Sequence, residues 1–466
     1  MSITYNFEFD NSKFKTFSDF ADEVFEEVMK CGRDIIKRYL KEADEEIMVT
    51  RDKKLYRCKG ERSTSVKTRL GVIEYERRIY QNTESKEHVF LLDENILADR
   101  IGLVERDMCR EISEMACIMP YRKVAEVINS TTGLYISHQA VWDIVQKEGR
   151  EEIENIEELS KLSKKKELIG SIDTKILYEE SDGDWLKLQG RDRKKYGTSK
   201  EMKIGIAYDG VIYHAAKDGT KRRELDNKTA YASFETVKDF SVHKEAVIAS
   251  KYNVDEIELR VKNGDGANWI QKNDDCECIC VLDEYHRNKK ITECVRDKKI
   301  AETLREMLFS GHYSDLLDTI EAYSNSIEDE AQVSKLKELY SYYSENFDAL
   351  PDYYSRGIKI PQTREPGVIH HARLGSMESN VFTLIGNRMK GGRACWSIRG
   401  GNNLAALLCR YHTSGTSRFC ANSQAVSPKQ MLSSAKIPQT TGKGYEYPHI
   451  AHISPANKAV YNLVKK

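Results

Sequence analysis

Apolar residues recur at helical spacing between residues 14 and 46, at Phe20, Val24, Phe25, Val28, Ile35, Ile36 and Leu40. The spacing predicts an amphipathic helix, N-capped at Ser18, that packs on a neighbouring unit or a partner. Between 54 and 81 the period changes to two, with Gly60 and Gly71 at turns, and two or three antiparallel strands rich in Arg and Lys are expected. Helical spacing returns between 106 and 149. There, Tyr121 to about Asn129 and His138 to about Lys147 read as two helices joined by a turn holding Gly133, the second capped by Ser137. Val124, Val127 and Ile128 would pack on Val141, Ile144 and Val145. Such a pair fits a helix-turn-helix that lays its second helix in a major groove, presenting His138, Gln139, Asp143 and Gln146. An αα-hairpin that touches no DNA fits the same pattern.

The charged stretch 151–168 reads as a helical linker, and from 167 the pattern becomes strand-rich. ILYEES ends in a turn at Asp182-Gly183, and DWLKLQG returns as its hairpin partner, followed by EMKIGIAYDG and VIYHAA. A helix at HKEAVIASKY comes next, then a strand ending in Gly264-Asp265-Gly266, then a strand ending at Asp283 and a further helix. That is the element order of an RNase H-like core, a mixed α/β fold that gathers acids at one sheet edge. Residues 297–354 are again helical, and from Pro361 the chain is Gly-rich and basic. The expected organisation is an N-terminal helix with a basic β segment (1–105) and a helix-turn-helix region with linker (106–166). The first part of the core (167–296), an all-α insertion (297–360) and the rest of the core with a basic tail (361–466) complete it.

Charge sharpens this picture. The 466 residues carry a net charge of −1, which excludes a uniformly basic coat. From Ser355 onward, however, sixteen Lys and Arg stand against three acids, Glu365, Glu378 and Glu446. A basic final quarter on a neutral chain is an electrostatic footprint for a polyanion, the other reading being a merely soluble face. Hydrophobic residues, at 40%, suffice for a sizeable core and exclude wholesale disorder. No apolar run approaches ~18 residues, so no membrane span is expected. The first residues lack an apolar signal segment, which points to the cytoplasm. The eleven Cys form no C-x-x-C pair, and Cys276, Cys278 and Cys280 alternate as strand residues do rather than as zinc ligands.

Three carboxylates occupy unusual settings. Asp182 precedes a Gly, Asp265 lies between two glycines after a strand, and Glu378 opens a helical stretch inside the basic tail. Each alone reads as a turn or surface acid. Their order, with a helical insertion before the last, suggests convergence, and converging carboxylates need a divalent cation to offset repulsion. Hard oxygen ligands suit Mg²⁺ or Mn²⁺, and two such ions clamp an in-line displacement at a phosphodiester. Asp173 competes with Asp182 for the first position, and Asp182 is preferred for its Gly and longer preceding apolar run. Asp283 and His286 form a D-x-x-H that either supports the carboxylates or caps a helix. Trp396 either stacks on a base or fills the core.

The strings ILYEESDGDWLKLQG, NGDGANWI, LDEYH and SMESN…RMKGGRACWS together resemble DDE transposases of bacterial insertion sequences, specifically the ISLre-type group, Mutator-like in plan. The likeness extends to the segment ending RRIY and to SHQAVWDIV, so it spans most of the chain. It implies an RNase H-like catalytic core with catalytic, metal-holding Asp182, Asp265 and Glu378 and accessory Asp283 and His286. The expected activity is metal-dependent cleavage of DNA at the ends of an element and transfer of the freed strands to target DNA. Arg388, Lys390, Arg393 and Arg399 would hold phosphates, and synapsis of two ends implies a homo-oligomer. A DNA-binding regulator without catalysis and an RNase H-like nuclease without strand transfer are the alternatives.

Overall fold

The computed structural model describes residues 5, 7–10, 13–132, 134–215, 221–267, 278–361 and 374–413. Gly133, Cys276, Glu365, Glu446 and most of the basic tail lie outside them. The chain opens with a long helix, α1 (Phe17–Thr50), capped by Thr16 rather than Ser18. Thr16 wins because Asp19, three positions on, returns a bond to its backbone and completes a capping box. Strands β1 (Tyr56–Thr68), β2 (Gly71–Asn82) and β3 (His88–Val89) form an antiparallel sheet. Gly60 sits at a register shift within β1 instead of at a turn. Leu40 of α1 packs on Val66, Ile73 and Tyr75, together with Leu92 of α2 (Leu91–Ile96). Two arginines of this sheet are internally held: Arg77 lies over the Phe90 ring at 3.8 Å and pairs with Asp93, and Arg78 pairs with Asp44 at 2.7 Å.

Helices α3 (Arg106–Ile118), α4 (Tyr121–Thr131) and α5 (His138–Lys164) come next. The charged stretch read as a linker is the continuation of α5, which runs for 27 residues. Its apolar face (Val141, Ile144, Val145) shares one core with Ile112 and Val124 and with Ile176 and Ile204 further along the chain. Residues 106–166 are therefore packed into the central core and do not stand apart from it.

The central element is a five-stranded sheet. It comprises β4 (Ile176–Lys187), β5 (Ser199–Tyr208), β8 (Thr229–Ser233), β9 (Leu259–Gly264) and β10 (Cys278–Leu282), in the order β10-β9-β4-β5-β8. β4 runs antiparallel to β5 and β5 to β8, while β4, β9 and β10 are mutually parallel. The expected hairpin turn at Asp182-Gly183 does not form. β4 continues through both residues, pairing Asp182 with Ile204 and Gly183 with Lys203, because the apolar alternation resumes at Leu186. The connection instead contains α6 (Gly190–Tyr196), and β6 (Gly210–Ala215) and β7 (Lys221–Asp226) make a separate hairpin. One face of the sheet is covered by α7 (Val237–Lys251), where Leu177 and Ala207 meet Ile248.

Helices α8 (Glu284–Cys294), α9 (Lys298–Ser310), α10 (Tyr313–Asn325) and α11 (Glu330–Glu345) surround a second core of Ile291, Leu304, Leu316, Leu336 and Tyr343. Helical structure, expected over 297–354, is formed there by α9 to α11, and α8 precedes it within the stretch assigned to the core. The chain returns at α12 (Met377–Val381), which runs through a π turn (Phe382–Gly386), and ends among the described residues with α13 (Ile398–Thr413). α13 is nearly all interior, with Leu404, Ala405, Leu407 and Leu408 buried against the sheet and α5. Each such leucine contributes roughly 1.5–3 kcal/mol. Gly149 of α5 admits the α13 backbone, since a Cβ there would collide with the Asn403 carbonyl. Among the described residues no helix is long and apolar enough to cross a membrane.

Candidate active site

Side chains alternate along β4, so Glu180, Asp182 and Asp184 share a face with Tyr178 and Leu186. Parallel pairing sets Glu180 opposite Asn263 of β9, and Gly264 opposite Leu282 of β10. The same registers, continued by two residues and by one, align Asp182 with Asp265 and Asp265 with Asp283. Three neighbouring strands thus bring acids to one edge of the sheet.

Asp283 caps α8, accepting the His286 amide at 3.1 Å and meeting His286 Nδ1 at 3.0 Å with the same oxygen. The ring is thereby aimed inward. His286 Nε2 stands 3.9 Å from Asp182 Oδ2 and 3.6 Å from Glu378 Oε1. One ligand atom from each of Asp182, His286 and Glu378 falls within 4.8 Å of the others. Asp265 stands outside that tight group, its Oδ1 accepting the Ala267 amide at 2.9 Å. Asp173, the rival, is exposed and bonded to Asn253 at 2.9 Å.

Glu180, which sequence reasoning passed over, ties the cluster together. It is fully buried and accepts from Tyr208 Oη (2.7 Å), Asn263 Nδ2 (3.0 Å), the Gly375 amide (3.1 Å) and the Ser376 amide (3.0 Å). Gly375 has φ +104°, a left-handed conformation that favours glycine and lets two successive amides face one carboxylate. The segment leading to Glu378 is thus anchored on the strand that carries Asp182. Asn263 Nδ2 also donates to Asp283 Oδ2 at 3.0 Å, linking Glu180 to the Asp283–His286 pair. The signal for Glu180 was the two-residue spacing of acids in Glu180-x-Asp182-x-Asp184, hidden while the strand was ended at Asp182.

The electrostatics follow from crowding. Burial, opposed by His286 and the Gly183 amide and helped by the like charges of Asp265 and Glu378, pushes the Asp182 carboxyl up to about 6. Burial disfavours the His286 imidazolium, yet the hydrogen bond to Asp283 and the charges of Asp182, Asp283 and Asp265 outweigh it and raise its pKa. Burial also opposes the Asp283 anion, but bonds from His286 and Asn263 prevail and keep it below the usual carboxylate range. Asp182 is only 13% exposed and Glu378 is 50% exposed, so the cluster opens to solvent on one side.

The expected DNA contacts divide. His138 and Gln139 are exposed on the first turn of α5, with Gln139 bonded to Asp143 at 3.3 Å, and Arg393 and Arg399 are exposed as well. Gln146 is not presented to a groove. It is buried and accepts from Asn403 at 2.9 Å, because α5 extends past the expected end and packs on α13. Arg388 is likewise interior, donating to the Ala116 carbonyl at 2.6 Å between the rings of Tyr121 and Trp396. Lys390 pairs with buried Asp184. Trp396 belongs to the core, its Nε1 donating to the Met389 carbonyl at 2.9 Å. Cys278 and Cys280 sit in β10 as strand residues.

Fold and site define a mixed α/β protein with a carboxylate–histidine cluster beside the middle of β4, where its parallel neighbours β9 and β10 end. The chain belongs to the family described as Uncharacterised protein family UPF0236, which it matches over residues 12–421. A UPF0236 protein of Caldanaerobacter subterraneus subsp. tengcongensis is 24% identical over 335 residues, covering 70% of this chain and 65% of its own length. Its name joins eleven locus labels of that organism. The UPF0236 protein in the vanSb 3′ region of Streptococcus gallolyticus is 25% identical over 311 residues, covering 64% of this chain and 61% of its own length. The chain thus spans less than two thirds of the length of these relatives.

Proposed function

We propose that the protein is a DNA transposase that cleaves phosphodiesters at Asp182, Asp265 and Glu378 and transfers the freed strands. The observation that carries this reading is the meeting of Asp182, His286 and Glu378, from elements almost two hundred residues apart, within 4.8 Å. Strand order and direction support an RNase H-like core: β5 alone runs antiparallel to the central strand β4, while β8 beyond it and β9 and β10 on the other side run parallel to β4. The all-α insertion between β10 and Glu378 agrees with it. So does the relative named for eleven loci, as a sequence that multiplies within a genome would be.

The donor set fits a hard divalent cation. Burial foremost, with the like charges of Asp265 and Glu378 adding to it, raises Asp182, and a cation would relieve both the desolvation and the repulsion. Asp182, Asp265 and Glu378 would hold Mg²⁺ or Mn²⁺, two ions in all, with His286 beside them, supplying Lewis-acid charge at the phosphodiester. His286, fixed by Asp283, spaces Asp182 from Glu378 and offsets their like charge. Glu180 holds the segment that delivers Glu378. The exposed first turn of α5, with His138 and Gln139, and exposed Arg393 and Arg399 are assigned to double-stranded DNA.

The test is nicking and joining of a duplex that includes the DNA flanking the gene, with Mn²⁺. Asp182→Asn, Asp265→Asn and Glu378→Gln are expected to lose at least about 100-fold in nicking while binding DNA as the wild type does. Mn²⁺ is expected to raise the melting temperature of the wild type and not of Asp182→Asn. Full activity in any of the three variants removes that residue from the site. Nicking without joined products makes the protein a nuclease, and binding without nicking makes it a regulator.

A further inference from the structure

Beside the helix that carries Glu378 lies a cavity of about 600 Å³ with a basic wall. Arg223 of β7, Lys228 just before β8, Lys251 at the end of α7 and His412 near the end of α13 line it together with one acid, Glu224, while the charges of Asp209 and Asp226 also act on Lys251. Lys228 Nζ donates to Asn380 Oδ1 at 3.1 Å and Lys251 Nζ to the Lys228 carbonyl at 2.9 Å, so these bonds run to neutral oxygens. Burial, the largest influence on each, lowers the pKa of Lys228, Lys251 and His412. The Lys228 and Lys251 ammonium groups, held near each other away from water, favour an anion beside them, with Arg223 at the solvent side and His412 as a neutral imidazole. Ser379 and Thr383 line the cavity as well, their hydroxyls donating to the Ser376 and Ser379 carbonyls at 2.9 and 2.7 Å. Gly375 and Ser376, whose amides Glu180 holds, form part of the same wall.

We propose that this cavity is a phosphate site, taking one backbone phosphate with its sugar from the strand whose neighbouring phosphodiester lies at Asp182 and Glu378. The proposal rests on the phosphodiester reading of Asp182, Asp265 and Glu378. The volume suits a nucleotide unit, since small-ligand sites span about 300–1,000 Å³. Arg and Lys are the side chains that hold phosphate. Free phosphate offers the same chemistry, and the two sources are separated by experiment.

The full chain in EDTA is titrated with a fluorescein-labelled single strand, followed by anisotropy, and with inorganic phosphate, followed by melting temperature. Lys228→Met and Lys251→Met keep the apolar stem and delete a charge that burial disfavours, so both variants fold, as melting without ligand verifies. Each is expected to weaken strand binding about tenfold or more, the worth of one charge-assisted bond. Lys337→Met, on an exposed face of α11, is expected to stay within about twofold. Wild-type strand binding by both pocket variants overturns the proposal. If phosphate then still raises the melting temperature of the wild type alone, the cavity takes free phosphate instead. Absence of strand binding by the wild type also overturns it. No cation is present, so unchanged binding by the two lysine variants leaves the reading of Asp182 and Glu378 to its own nicking test.

Discussion

Replacing Glu180 separates a holding carboxylate from a reacting one. Four donors meet it: Tyr208 Oη, Asn263 Nδ2 and the amides of Gly375 and Ser376. Glu180→Ala strips all four of their acceptor in a buried site. A bond to a charged group is worth about 1.5–3 kcal/mol, and removing one partner of a buried charged network costs about 3–5 kcal/mol. Glu180→Gln is far milder. Its amide nitrogen can take the place of Oε1 and donate to Tyr208, whose hydroxyl rotates, while its oxygen keeps Asn263, Gly375 and Ser376 on the Oε2 side. Only charge assistance is lost, about 1–2 kcal/mol. In Glu180→Ala the segment ahead of Glu378 loses its anchor, and a shift of about 1 Å at a reacting group costs about 100-fold in rate. Hydrogen exchange at the Gly375 and Ser376 amides and Mn²⁺-dependent nicking read the two effects separately. Fast exchange and about 100-fold slower nicking are expected for Glu180→Ala, with both near wild type for Glu180→Gln. Equal loss in the two variants would refute the reasoning, because the charge itself would then be the working feature. Slow exchange in Glu180→Ala would refute it from the other side.

The pKa of Asp182 sets a stability prediction for the protein in EDTA. Folded, its carboxyl titrates at about 6, above its ordinary value, so its contribution to stability is whole at low pH and is lost as pH climbs through about 6. The difference in unfolding free energy between Asp182→Asn and wild type should therefore grow from pH 4 to pH 7, reaching on the order of 2–3 kcal/mol in favour of the variant; a pH-independent difference in urea midpoints contradicts it. Arg388→Met should lower stability by about 1–3 kcal/mol, through the lost bond to Ala116 and the rings it lies between, without weakening DNA binding. Arg399→Ala, on an exposed position, should do the reverse, and parallel urea and anisotropy titrations of both variants check the pair.

What the sequence disclosed was what local periodicity controls. The long first helix, the basic hairpin, the alternation of β4 and the helical block before Glu378 all follow from spacing of apolar residues, which reports directly on one buried face. Asp182-Gly183 misled because Asp and Gly favour turns in isolation, whereas here the pairing with Ile204 and Lys203 holds both residues extended. Gln146 and Arg388 misled for a different reason. A polar residue on a helix reads as exposed until a distant segment is known to cover it. For Gln146 that segment is α13, which lies some 250 residues later in the chain. Glu180 was illegible for the same cause: its four partners come from three distant segments, and only the fold brings their donors to one carboxylate.

The acids of β4 show how the fold chooses where charge is left over. Glu180, Asp182 and Asp184 occupy alternate positions on one face, so the strand alone treats them alike. Glu180 is satisfied by four neutral donors, whereas Asp184 pairs with the Lys390 ammonium through Oδ1 and keeps its Oδ2 buried without a partner. Beyond the strand, Asp283 is satisfied by His286 and Asn263. Asp182 has a donor in the Gly183 amide at 2.7 Å, while its other oxygen faces His286 at 3.9 Å, beyond bonding reach. It is also the carboxylate on this strand that the charges of Asp265 and Glu378 act upon. Asp182 and Glu378 are thus left facing each other beside one histidine, on the side of the cluster that opens to solvent, and a divalent cation gains most there. Lys390→Glu would take the ammonium from Asp184 and add a carboxylate beside it, a change of two negative charges near Asp182 that draws a cation more strongly. Mn²⁺ affinity in Lys390→Glu is accordingly expected to rise, and an unchanged or lower affinity would show that charge at Asp184 does not reach the site.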